Sequence, residues 1–112
     1  MSAPVFHLEH VVIAGQSPQE ALLVHFTIAD DGTTPSEFVT ALSLLPDVSG
    51  VRPVLFSGRG PIWGYGMLVH RAHATPAVAL FDPRLDGFVI VESHASLFHV
   101  GEIIHLAPGD LS

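Results

Sequence analysis

The feature that most limits what this chain can fold into is a short apolar run, Val54-Leu55-Phe56, set between two helical segments. Consecutive large apolar residues without polar alternation describe a strand buried on both faces, the kind found in parallel or mixed sheets. The helix before it is announced by Thr34-Pro35-Ser36-Glu37, a capping box with proline at the first helical position. Its apolar face is Phe38, Leu42 and Leu45, and Pro46 stops it. After Phe56 comes Ser57-Gly58-Arg59-Gly60, and Pro61 then starts a second helix that runs to about His73 before Thr75-Pro76 ends it. Gly64 and Gly66 each weaken that helix by about 1 kcal/mol relative to alanine, so a close approach is expected there.

The remaining segments read as strands. Pro4 to Ile13 and Glu20 to Ile28 are expected to form a hairpin around the turn Gly15-Gln16-Ser17-Pro18, and Asp30-Asp31-Gly32 breaks the pattern. Ala77 to Phe81, Phe88 to Val91 and Val100 to Leu106 follow, with a tight connection from Asp82 to Gly87 and a Pro-Gly tail. The order is β-β-α-β-α-β-β-β. Strand–helix–strand in the middle implies right-handed crossovers and parallel pairing, with antiparallel additions at both edges. The expected fold is a compact Rossmann-like α/β mixed sheet in two or three layers. At 112 residues, against roughly 150 per domain, one domain is expected.

Composition narrows the function. Four arginines, no lysine and eleven acids give a formal net charge of −7, so the basic stripe that duplex DNA binding requires is missing. A small or short phosphate ligand held by a few placed groups is still allowed. No apolar run approaches the about 20 residues of a membrane span, and Met1-Ser2-Ala3-Pro4 opens no signal peptide. Without cysteine there is no disulfide scaffold or thiolate chemistry, and a reducing cytoplasm is the expected compartment. Charged residues make up only 13% of the chain, which suggests that another subunit covers part of the surface. Eight histidines point instead to metal or acid–base chemistry.

Ser57-Gly58-Arg59-Gly60 joins a strand end to a helix start, where free N–H groups and the positive end of the helix dipole favour an anion. Glycines let a phosphate come close, Ser57 adds a hydroxyl, and Arg59 adds a fork of donors. An ordinary tight βα turn has the same glycines but does not require the arginine. His70 and His73, three apart on the second helix, share a side and suit a metal or an acid–base pair. Asp82-Pro83-Arg84-Leu85 leaves a strand end, where open α/β sheets bind ligands, and His94 ends the next strand. The expectation is that these histidines, Asp82 and Arg84 converge on one edge, Asp82 taking a hard cation and Arg84 facing negative charge. His7, His10, His25, His99 and His105 fall on strand patterns and read as half-buried structural or interface residues, and Trp63 as core.

Taken together, Ser57 to Trp63, His70 with His73, Thr75-Pro76, Asp82-Pro83-Arg84-Leu85 and Gly101-Glu102-Ile103-Ile104 resemble the CRISPR-associated Csx-three proteins of type III systems. The resemblance covers residues 57 to 106; the first half shares only the element order. It implies a cytoplasmic homodimer that cleaves the RNA messenger cyclic tetra-adenylate with manganese, and a 3′ deadenylating exoribonuclease activity on short RNA 3′ ends has also been attributed to the family. Ser57 and Arg59 match the ligand loop, and His73, Asp82 and Arg84 the catalytic and metal group. His94 matches a family histidine with one residue inserted. A sensor that binds the messenger without cutting it is the second hypothesis, since binding alone does not require His73, Asp82 and Arg84. A metal-binding structural module is the third, although no dense histidine tract is present. About twelve helical residues at 1.5 Å each separate the loop from His73, roughly 18 Å. One subunit therefore cannot easily place Arg59 and His73 on the same phosphate, and two dimers sandwiching the ligand are expected.

Overall fold

The computed structural model describes residues 1–15, 19–46, 48 and 50–107. The elements follow the expected order: β1 (Val5–Ile13), β2 (Gln19–Thr27), α1 (Pro35–Ser43), β3 (Val54–Ser57), α2 (Ile62–Arg71), β4 (Ala77–Asp82), β5 (Gly87–Ser93) and β6 (Ile103–Ile104). Strand order across the six-stranded sheet is the same as order in the chain. β2, β3 and β4 are parallel neighbours, while β1 pairs antiparallel with β2, β5 with β4, and β6 with β5. The result is an α/β mixed sheet of Rossmann-like type. Residues 16–18 of the expected hairpin turn, Asp47 and the Pro-Gly tail from Pro108 lie outside the described residues.

Both crossovers step in the same direction along the sheet, so the right-handed rule puts both helices on one face. The core confirms it. Phe38, Leu42 and Leu45 from the first helical region and Leu68 and Ala72 from the second share one cluster with Val24, Phe26, Val54, Phe56 and Val78. The architecture is therefore two-layered. On the opposite face a second cluster, including Val11, Ala21, Leu55, Ala79, Phe88 and Ile90, is covered by Phe98 and Leu106 of the C-terminal segment. Val54, Leu55 and Phe56 are all fully buried, as a strand at the middle of such a sheet must be. Each such side chain contributes roughly 1.5–3 kcal/mol.

The capping box forms as the sequence dictates: Glu37 N–H donates to Thr34 Oγ1 at 3.1 Å, and Thr34 N–H to Glu37 Oε1 at 2.9 Å. α2 ends at Arg71, earlier than its pattern implied, and the last expected strand shrinks to two residues. The close approach expected at the helical glycines occurs at one of them. A Cβ on Gly64 would stand 3.1 Å from the Phe38 ring, whereas a Cβ on Gly66 would meet nothing within 4 Å. Trp63 packs edge-on against Phe38 with centroids 5.6 Å apart, as a core residue.

Candidate functional site

The carboxyl ends of β2, β3 and β4 open into a cleft of about 640 Å3. Its walls come from the end of β2, from Ser57 to Gly60, from Tyr65 on α2, and from Phe81 and Pro83 at the end of β4. The Ser57–Gly60 loop is pressed onto Phe26, a fully buried β2 residue. A Cβ on Gly58 would lie 2.4 Å from the Phe26 carbonyl oxygen, and one on Gly60 would lie 2.7 Å from the Phe26 ring. Only glycine fits at either place. Tyr65 sits one turn into α2, stacks edge-on to Phe26 and donates its hydroxyl to the Gly58 carbonyl. Partial burial pushes the Tyr65 hydroxyl pKa up, so it stays a donor. The Gly58 carbonyl is thus turned inward. α2 begins without a side-chain cap, which leaves its first N–H groups open to an anion.

The arginines sort themselves. Arg52 lies against His10, with Nη1 2.6 Å from Nδ1. Arg71 donates to the Leu45 carbonyl at 2.8 Å, and Arg84 is paired with Asp82. Arg59 is exposed and makes no hydrogen bond or ion pair among the described residues. Among the described residues, the one disengaged guanidinium therefore stands on the loop that the sequence marks for anion binding.

Asp82 and Arg84 lie at the same end of the sheet, on the turn that leaves β4. Arg84 donates to both carboxylate oxygens, Nε to Oδ1 at 3.3 Å and Nη2 to Oδ2 at 3.1 Å, and its backbone N–H donates to Oδ1 at 2.9 Å. These bonds hold the Asp82 carboxyl below the usual carboxylate range and raise the Arg84 guanidinium.

The histidines do not join them. α2 carries the chain from the cleft to the opposite end of the sheet, and His70 and His73 lie there. Their rings stack 5.5 Å apart at 18°, and His73 Nδ1 is 2.7 Å from the His70 carbonyl. His94 is at that end too, its backbone N–H bonded to the Pro76 carbonyl and its Nε2 3.0 Å from Glu92. β4 then takes six residues, roughly 17 Å of strand, to reach Asp82. The expected convergence of His70, His73, Asp82, Arg84 and His94 on one edge is therefore corrected: a parallel crossover must return to the far end before its strand starts. No group of three or more His, Cys, Asp or Glu side chains that could hold a metal occurs among the described residues. α2, ten residues from Ile62 to Arg71 and roughly 15 Å long, lies between Arg59 and His73 in the chain.

His25 is the residue that sequence reasoning misplaced. It is exposed rather than half-buried, lines the cleft, and is in register with Ser57. The signal was the β2 alternation, which buries Val24 and Phe26 under the helices and turns His25 the other way. His7, His10, His99 and His105 are also exposed.

A model of a CRISPR-associated protein family (Cas_csx3) matches residues 27–105, well over half of the chain. The chain belongs to this family. Membership makes it CRISPR-associated and covers β3, α2, the cleft loop and the Asp82 turn alike. A protein of Aquifex aeolicus, named only as uncharacterized, is 40% identical over 88 residues, 67% of this chain and 79% of that one. No helix among the described residues of this family member is long and apolar enough to cross a membrane.

Proposed function

We propose that this family member binds cyclic tetra-adenylate in the cleft and cleaves its phosphodiester bonds, removing the signal of a type III CRISPR response. The disengaged Arg59 on a glycine loop at a helix N-terminus carries the reading. Arg59, the Ser57 hydroxyl and the first N–H groups of α2 bind and orient a phosphate. Arg84, held by Asp82, faces charge that builds on a phosphate at the cleft mouth. His73 accepts or returns a proton for a phosphate held by another copy. The manganese implied by the family resemblance does not fit His73, Asp82 and His94 of a single chain. In the proposed two-dimer sandwich, donors from different chains would be brought together.

The test is to incubate the protein with cyclic tetra-adenylate, with and without manganese, and to separate the products. Linear adenylates are expected, with messenger binding weakened in Arg59→Ala. Arg59→Ala, which binds messenger weakly, and His73→Ala, which binds it but cuts slowly, are expected to recover the parent's rate when mixed under slow subunit exchange. Binding without linear products makes the protein a sensor, and preferential trimming of linear adenylate 3′ ends makes it an exoribonuclease.

A further inference from the structure

Two histidines outside the set above stand opposite each other on paired strands, and one of them, His25, lines the cleft. In the β1–β2 ladder His7 lies directly opposite His25, and both are exposed. They share strand parity with Val11 and Ala21, so both stand on the face away from the helices. Ser57 continues the same row across β3, and Arg59 follows two residues later. Five of the eight histidines have hydrogen-bond partners: His10, His73, His94, His99 and His105. His7 and His25 have none among the described residues. Directly opposed residues hold their Cβ atoms about 4.5–5.5 Å apart, so two free imidazoles can flank one phosphoryl group.

We propose that His7 and His25 are an acid–base pair for metal-free cleavage of an RNA phosphodiester whose phosphate rests on the Arg59 loop. The inference rests on the reading of the cleft as an RNA-phosphate site. Neutral His25, nearer the loop, takes the proton of a ribose 2′-hydroxyl. The 2′-oxygen forms a bond to the adjacent phosphorus, and the bond from phosphorus to the 5′-oxygen breaks. Protonated His7 gives its proton to that departing oxygen. The products are a 2′,3′-cyclic phosphate and a 5′-hydroxyl; His25 ends protonated and His7 neutral, and exchange with water resets both. Arg59 faces the charge added to the phosphorus centre. The charged groups near the pair are Glu9, two residues along β1 on the same face, and Arg59 from the loop; β3 offers Leu55 and Ser57, and β4 offers Phe81.

The experiment incubates the whole protein with cyclic tetra-adenylate in excess chelator from pH 5 to 9, and reads product ends by mass. Slow cutting is expected, ending in 2′,3′-cyclic phosphate, with a bell-shaped pH profile. His7→Gln and His25→Gln are each expected to lower that rate about 10²-fold or more with messenger still bound, while exposed His99→Gln leaves it unchanged. A ring methylated at every 2′-oxygen is expected to bind and stay intact. Bound messenger that stays uncut without metal overturns the pair and leaves the cleft reading standing, as does equal cutting of the methylated ring. Messenger that does not bind under any condition overturns both.

Discussion

Replacing Tyr65 by phenylalanine removes one oxygen and isolates the bond that holds the cleft loop. The ring stays edge-on to Phe26, with centroids 5.6 Å apart, so packing is retained. What disappears is the hydroxyl donor on the Gly58 carbonyl. Leaving a buried acceptor without a partner costs roughly 1–3 kcal/mol. Gly58 is half-buried and water can reach its carbonyl, so the lower end, about 1 kcal/mol, is expected. For a domain of this size that is a fall in Tm of about 4 °C. If the same bond holds the loop ready for a phosphate, messenger affinity falls roughly fivefold. The pH dependence has a defined sign. Burial raises the Tyr65 hydroxyl above its ordinary value of 10.0, so the unfolded chain loses this proton first as the pH climbs. The stabilisation is therefore complete below pH 10 and fades above it, and the gap between parent and variant narrows there. Thermal melts across that range and a binding titration with labelled messenger read both effects. A variant that melts and binds like the parent at neutral pH would show that the hydroxyl positions nothing.

The two helical glycines should part company. Gly66→Ala, with open space around the new methyl, is expected to stabilise by roughly 0.5–1 kcal/mol, whereas Gly64→Ala gains nothing because the methyl meets Phe38 at 3.1 Å; equal gains in melts of the two variants would contradict the helix contact. Asp82 is expected to titrate below 3.8 and to return toward that value in Arg84→Ala, followed by carboxyl NMR. Its contribution is present above the ordinary carboxylate value and is lost as the pH falls through the lowered one; an unshifted Asp82 in the parent would mean the pair does not form in solution. Thr34→Ala is expected to cost about 0.5–2 kcal/mol through loss of the N-cap, and an unchanged denaturation midpoint would mean the box is not formed.

The fold was legible because its signals are local. Val54 to Phe56, the Thr34 capping box and Pro61 each state what their own segment does, and their order leaves few topologies. The layers were less legible, since face is decided by the direction of each crossover and no single residue records it. At the site, the Ser57–Gly60 loop was visible because glycine and arginine at a strand–helix junction carry their chemistry with them. The grouping of His73 with Asp82 failed for a geometric reason. Nine residues is close in sequence, but those nine include the whole of β4, which runs from one end of the sheet to the other. The reverse error hid His25, which becomes a cleft residue only once register sets it beside Ser57, thirty-two positions away.

A sheet whose strands are laid down in chain order grows by accretion, with no later strand inserted between earlier ones. Each new strand finds its edge already built by the segment just before it, so the emerging chain never has to reopen what it has closed. The hairpin of β1 and β2 is the template, and α1 and α2 are added as lids while the edge advances. The cleft, however, needs the ends of three successive strands, and its last wall arrives with Phe81 and Pro83. A ribosome-bound chain shorter than that has most of a core and the Arg59 loop, but a cleft still open on the β4 side. Messenger binding by stalled nascent chains should therefore step up at one length, after β4 has left the exit tunnel, and not rise gradually with synthesis.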